Sequence, residues 1–413
     1  MRSELTRRIA FTLGALLVYR LGTYVPLPGL DAIALSGLFR DRTVQVVDFF
    51  SLGSSGGVHR AAIFSLDLVP YLSAAILVQL ATMVSRRLRA FKKEGARGRA
   101  IIERWTRYIT VLLAVLQGLG IAFGFESIPG LVADPGWLFV ITMALTLTAG
   151  TMFLVWLGAQ ITSWGVGNGL ALLMLAGFVT GIPVTIAGTL ELGRQGVLSQ
   201  GDELALAAMV VATVAFVVAM EEGRRHIPVR YAKRQIGAVM LAERSAPLTL
   251  KLNNAGVMPV ILASWLLGVL VILGKLGAPW LPDIAARLEP GRSLYLILYG
   301  LFIVFCAFFY TAFVLDPDES AEDLRQHGGV IADLEPGEAT AAHIDHVVSR
   351  VTLIGSIYLA AVCLLPFILV VDAGVLFIFG GPPLLLVVCT LLDLAAQVRA
   401  YRSAAAKRFV RRS

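Results

Sequence analysis

Ten stretches of this chain are long and apolar enough to cross a lipid bilayer: near 6–25, 61–84, 107–125, 137–160, 169–190, 203–221, 256–274, 294–315, 350–371 and 374–392. A bilayer core is spanned by about 20 residues of helix, and lipid satisfies no backbone N–H or C=O, so each run has to close its own hydrogen bonds. Charged residues make up only 15% of the chain and hydrophobic ones 57%, too little polar surface for a soluble protein. The expectation is an all-α integral membrane protein with ten transmembrane helices. No cleavable signal peptide is expected, because Arg2, Arg7 and Arg8 precede an apolar run that lacks a small-residue cleavage site.

Basic residues orient the spans. The N-terminus carries Arg2, Arg7 and Arg8, and the loop after the second span runs from Arg86 to Arg107 with nine Lys or Arg against Glu94 and Glu103. The loop after the sixth span adds Arg224, Arg225, Arg230, Lys233, Arg234, Arg244 and Lys251, and the tail adds Arg399, Arg402, Lys407, Arg408, Arg411 and Arg412. Residues 124–136 hold no Lys or Arg and 191–202 hold only Arg194. By the positive-inside rule, both termini are cytoplasmic. This distribution also accounts for the net charge of +7 without invoking nucleic acid.

Two polar regions interrupt the pattern. Residues 316–349 carry Asp316, Asp318, Glu319, Glu322, Asp323, Asp333, Glu335, Glu338 and Asp345 with Arg325 as the one arginine or lysine. Acidic residues contribute little to orientation, and the span count makes this loop cytoplasmic. Residues 26–60 hold turn chemistry at Leu27–Asp31 and a glycine-rich run at Ser51–Gly57, with the apolar Val44–Phe50 between them too short to span. Such a segment lies at the interface or dips into a protein-lined cavity.

Stretches that could carry chemistry are few. Neither HExxH nor a Walker A sequence occurs, and Cys306, Cys363 and Cys389 all fall in apolar runs without disulfide or metal spacing. His343 and His346 could share a helix face, but they are expected in a solvated polar loop with no third ligand nearby. Gly165–Gly169, GVGNG, has the look of a phosphate loop, yet no strand precedes it and no lysine follows, and a tight cytoplasmic turn needs the same glycines. Asp67 and Pro70 stand near the extracytoplasmic end of the second span, where an ionisable residue is either interfacial or functional and a proline kinks the helix. Pro259 reads as helix-start chemistry. In Arg224–Arg234 cations alternate with Ile227, Val229 and Tyr231, which suggests an extended or hairpin segment able to dock a phosphate-rich or acidic partner.

Read in order, FSLDLVPYLSAAILVQL (64–80), KKEGARGR (92–99), GTMFLVWLGAQIT (150–162), GVGNG (165–169), YAKRQ (231–235), LKLNNAGVMPVI (250–261), FFYTA (308–312), PGEATAAHID (336–345) and FIFGG (377–381) resemble the SecY family of protein-export channel subunits. The resemblance implies two pseudo-symmetric five-helix halves around a central pore. Residues 1–193 would form the first half, with a plug helix at about 44–57, and 194–413 the second, with large cytoplasmic loops at 222–255 and 316–349. It implies a pore constriction of Leu68, Leu72, Leu170, Met174, Ile261 and Leu386, and polar lateral-gate positions at Gln79 and Asn253. Cytoplasmic docking would involve Arg225, Arg230, Lys233, Arg234, Glu335, Pro336, Gly337 and Glu338.

The implied activity is that of a protein-conducting channel in the cytoplasmic (inner) membrane, passing unfolded polypeptides across and inserting membrane proteins. It would have no catalysis and no cofactor of its own. The implied partners are SecE and SecG subunits, the SecA ATPase or a ribosome on the cytoplasmic side, and signal-sequence-bearing polypeptides. Two departures stand out. Glu335 occupies the place of an arginine that the family uses for motor coupling, and Thr162-Ser163-Trp164-Gly165 replaces a Thr-Glu-Arg-Gly-like turn. The alternative is a secondary transporter for a small solute, which calls for midplane charges, whereas Arg20 and Asp67 sit near span ends. An intramembrane protease would need a Ser–His pair, an Asp pair or HExxH within the spans.

Overall fold

The computed structural model describes residues 2–30, 61–85, 88, 91, 95–196, 199–231, 234–236, 239–241, 244–275, 292–331, 334, 337–373 and 381–410. Its helices are α1 (Arg2–Gly22), α2 (Val69–Val84), α3 (Ala96–Glu126), α4 (Trp137–Trp164), α5 (Gly169–Arg194), α6 (Gln200–Glu222), α7 (Met258–Lys275), α8 (Ser293–Val314), α9 (Pro317–Gln326), α10 (Glu338–Ala373) and α11 (Pro382–Val410). The strands are β1 (Arg224–Tyr231), β2 (Arg234–Ile236), β3 (Val239–Leu241), β4 (Arg244–Lys251) and β5 (Gly329–Ile331).

All the helices except α9 fall on the ten expected spans. Among the described residues, seven helices are long and apolar enough to cross a membrane, and Val69–Thr82 and Met258–Leu270 are shorter apolar helices. Leu138, Leu204, Val211 and Ile297 lie on helix surfaces with at least two-thirds of their area open. Such faces suit lipid, whereas in water they would drive aggregation.

Several boundaries differ from the sequence reading. α2 begins at Val69 instead of 61, with Pro70 in its first turn. There the missing N–H would have had no helical partner, so the proline starts the helix and does not kink it. The residues before it form turns, with Leu27 N donating to Ala61 O at 2.8 Å and Ile63 N to Val25 O at 3.0 Å. α3 and α10 start about three turns earlier than their apolar runs, at Ala96 and Glu338, and α11 continues to Val410. Ala, Glu and Arg are good helix formers, and extending an existing helix avoids a new nucleus. His343 and His346 therefore stand on a helix and not in a loop.

Chain contacts divide the molecule into two compact units, Met1–Ala187 with Thr390–Ser413, and Gly188–Cys389. In the first, α3 and α4 pack closely where Gly118 meets Ala144: a Cβ on the glycine would lie 3.1 Å from the Ala144 Cα. A core of Leu66, Phe125, Leu131, Phe139, Met143 and Leu147 forms around α3 and α4. Phe64 stacks between Tyr19 and Phe153, with ring centroids at 6.1 and 5.8 Å.

In the second unit the two long polar loops fold together. β1 is the centre of a three-stranded sheet, antiparallel to β4 (Arg224↔Lys251 through Tyr231↔Arg244) and to β5 (Val229↔Ile331). Strand geometry turns Ile227 and Val229 to one face, where they pack with Leu250, Leu324, Ile331, Ile344 and Val348. This apolar cluster fastens α9 and the start of α10 to the sheet; burying each large side chain in it contributes about 1.5–3 kcal/mol. The extended or hairpin segment expected from alternation at Arg224–Arg234 is thus strand β1, paired with β4 and with a strand from the acidic loop.

Candidate functional site

The expected constriction residues all lie within the first two turns of a helix or at its cap. Leu68 is the N-cap residue of α2 and is fully buried, while Leu72, half-buried, donates its amide to Leu68 O at 2.9 Å one turn later. Leu170 and Met174 are one turn apart on α5, whose start is capped by Asn168, with Oδ1 accepting from Leu170 N at 3.1 Å. The Leu170 side chain rests against Gly158 of α4, where a Cβ would lie 2.6 Å from Leu170 Cδ2. Ile261 is half-buried in the first turn of α7, and Leu386 is half-buried in α11 beside the buried Leu385. Leu68, Leu72, Leu170 and Met174 belong to the first unit, Ile261 and Leu386 to the second.

Of the two expected gate residues, Gln79 is half-buried on α2, and its carbonyl accepts from Thr82 Oγ1 at 2.7 Å. Asn253 is buried just before α7, and its Nδ2 donates to Glu221 Oε1 at 2.6 Å and to Gly256 O at 3.2 Å. Tyr358 of α10 donates to the same Glu221 oxygen at 3.2 Å. One carboxylate at the end of α6 thus joins the approach to α7 and α10. Sequence reasoning missed Glu221 and Tyr358; the available signal was a glutamate closing an apolar run.

The GVGNG turn is engaged entirely by the protein. Val166 N donates to Thr12 Oγ1 at 3.1 Å, Gly167 N to Gln397 Oε1 at 2.9 Å and Gly169 N to Thr162 Oγ1 at 2.9 Å. Arg8 donates to Gly165 O at 3.4 Å and lies 5.7 Å over the Tyr401 ring. A phosphate cradle needs those amides free; here they anchor α1 and α11.

On the docking side, Arg225 and Arg230 of β1 are exposed, and the Arg234 backbone pairs with Leu241 in the β2–β3 hairpin. Gly337 has φ +124, a conformation that favours glycine, and the exposed Glu338 follows as the first residue of α10. Lys233, Glu335 and Pro336 lie outside the described residues, as do the plug segment 44–57 and Phe377–Gly380. In α9, Asp316 caps the helix by accepting from Asp318 N and Glu319 N. Arg325 forks onto Glu322 at 2.8 and 2.9 Å, and those hydrogen bonds hold the Glu322 carboxyl below its ordinary range. Among the described residues no group of His, Cys, Asp and Glu is arranged to hold a metal.

A helical membrane protein with a small polar sheet built from its inter-helix loops is the class that this architecture defines. The SecY family model matches residues 62–395. The chain is 44% identical over 404 residues to the protein translocase subunit SecY of Escherichia coli strain K12, covering 96% of this chain and 91% of the relative. It is 44% identical over 408 residues to that of Vibrio cholerae serotype O1, covering 97% and 92%. Two solved structures share the fold at low identity. One, described as "The structure of a protein conducting channel", has TM-score 0.66 at 18% identity and 95% and 93% coverage. The other, described as Sec61 in the canine ribosome-channel complex from the endoplasmic reticulum, has TM-score 0.65 at 17% identity and 96% and 93% coverage. The chain belongs to the SecY family. It is accordingly a multi-pass protein-translocation channel subunit, not an enzyme and not a small-solute transporter.

Proposed function

We propose that the chain lines a polypeptide-conducting pore in the cytoplasmic membrane with both termini in the cytoplasm. Leu68, Leu72, Leu170, Met174, Ile261 and Leu386 form its constriction, residues 44–57 its plug, and Gln79 and Asn253 polar positions of its lateral gate. The two halves are 1–193 and 194–413. The observation that carries this reading is the relation to translocase subunits over 96% of the chain, which takes in nearly all of its helices and loops. Chemistry supports the ring: all six side chains are apolar, so a narrow ring of them sheds water and stops ions, yet yields to a passing chain because no hydrogen bond has to break. The basic loops on one side support the orientation.

Partners follow from the same relation. SecE and SecG subunits accompany the channel, and the SecA ATPase or a ribosome docks on the cytoplasmic side through Arg225, Arg230, Lys233, Arg234 and the 335–338 segment. The strand pair β1–β4 offers such a partner exposed arginines on a well-packed base. Glu335 reverses the charge at the point where the family couples to its motor.

The test is reconstitution into vesicles with the co-purifying subunits and a cytoplasmic ATPase, followed by protease protection of a signal-sequence-bearing polypeptide. Protected chain that depends on ATP is the expected result. Saturable uptake of a small solute without polypeptide protection would overturn the reading.

A further inference from the structure

Inside the second unit, a small cavity of about 10 Å3 with mixed polar and apolar walls lies between the loop before α7, α8 and α10. Leu252, Asn253 and Asn254 line it from the loop, Thr311 from the last turn of α8, and Thr352 and Gly355 from α10. Three of these lining residues each carry a side-chain atom that is shut off from solvent and makes no hydrogen bond within the protein: Asn254 Nδ2, Thr311 Oγ1 and Thr352 Oγ1. Thr311 and Thr352 are 4% and 7% exposed. Native proteins leave few buried polar groups without a partner, so three on one cavity point to an occupant that hydrogen-bonds to all of them.

The chemistry of the wall restricts that occupant. Asn254 Oδ1 accepts from Lys251 N at 3.1 Å, which leaves the amide nitrogen, a donor, as the atom of this side chain without a partner. An occupant must therefore accept at that point, and a metal cation would face an N–H with no carboxylate among the lining residues. A volume of about 10 Å3 is at the lower limit for one water. Threonine hydroxyls donate or accept as required, so a single water can take one hydrogen bond from Asn254 and exchange one with each threonine.

Local packing explains why no side chain fills the gap. A Cβ on Gly355 would lie 2.6 Å from the Leu252 carbonyl oxygen, so α10 meets the loop at backbone distance. One turn along α10, at Thr352, the same approach leaves a residual pocket bounded by hydroxyls.

We propose that this cavity binds one ordered water molecule, bridging Asn254, Thr311 and Thr352 and so tying the loop that launches α7 to both α8 and α10. Asn253 is held by direct bonds to Glu221 and Gly256, while Asn254 has one direct bond, from Lys251 N, and the water as its second tie.

Thr311→Val and Thr352→Val keep the side-chain shape and remove one water partner each. With the water present, each variant in lipid nanodiscs is expected to unfold about 2 °C below the unsubstituted protein, because the water loses a partner. A dry cavity gives the opposite sign, since valine removes an unpaired buried hydroxyl. The second measurement is a map of the unsubstituted protein that resolves ordered solvent, with density expected within hydrogen-bond distance of all three atoms. An unchanged or raised midpoint in both variants, or an empty site in that map, overturns the proposal.

Discussion

Glu221 Oε1 accepts a hydrogen bond from Asn253 Nδ2 at 2.6 Å, and Tyr358 adds a second donor to that oxygen at 3.2 Å. Removing the acceptor takes a partner from two buried donors: Tyr358 loses this acceptor and Asn253 Nδ2 keeps Gly256 O alone. Glu221→Leu is expected to cost about 2–4 kcal/mol, and Glu221→Gln, which keeps one acceptor oxygen, about 1 kcal/mol. Thermal unfolding of the purified protein in detergent measures both. Equal losses for Leu and Gln would mean that hydrogen-bond acceptance is not what Glu221 contributes.

Glycine positions give a contrast in sign. At Gly355 a Cβ would collide with the Leu252 carbonyl at 2.6 Å, and at Gly150 it would meet the Ile63 carbonyl. Backbone atoms cannot swing aside, so Gly355→Ala and Gly150→Ala should each destabilise by about 1–3 kcal/mol. Gly120 on α3 has nothing within 4 Å of its virtual Cβ. There Gly120→Ala should stabilise by about 0.5–1 kcal/mol through lower chain entropy in the unfolded state. Unfolding midpoints that fail to separate the first two variants from the third would contradict the close approaches.

The turn at 165–169 ties α1, α4 and α11 together, and Gln397 holds its centre through Gly167 N at 2.9 Å. Gln397→Ala removes that acceptor while Thr12 and Thr162 keep theirs. A loss of about 1 kcal/mol corresponds to roughly fivefold faster hydrogen exchange at Gly167. Exchange measured by mass spectrometry over the 160–172 peptide checks it. An unchanged rate would mean that the turn is held without α11.

Span existence was legible because membrane length and apolarity are properties of a single stretch, and ten helices fall on the ten runs. Span ends were less so, because hydropathy marks where lipid stops and not where a helix does. Ala339–Asp345 continues α10 despite its polarity, and Val69 opens α2 late because Pro70 belongs in a first turn. Alternation at Ile227 and Val229 showed an extended segment, but its pairing with β5 rests on Gly329–Ile331, a strand too short to carry a period of its own. Glu221 and Tyr358 stand 137 positions apart, and no local pattern links them. The constriction positions came through family resemblance alone, since periodicity cannot distinguish a pore-lining leucine from a core one.

The proposed ring makes the sharpest functional prediction. Leu72 is half-buried one turn beyond the fully buried Leu68. An amide at this position, or at Leu386, offers water a hydrogen-bond partner in a constriction that otherwise has none, which removes the dewetting barrier. Leu72→Asn and Leu386→Asn should raise the ion conductance of the resting channel in planar bilayers, whereas Leu385→Asn, at a buried packing position beside the ring, should lower stability without a matching leak. Deleting about 46–56 should add a transient leak of its own if that segment plugs the pore. A resting conductance indistinguishable from the unsubstituted protein in both ring variants would remove Leu72 and Leu386 from the constriction, because a narrow apolar gate cannot accept an amide and stay dry.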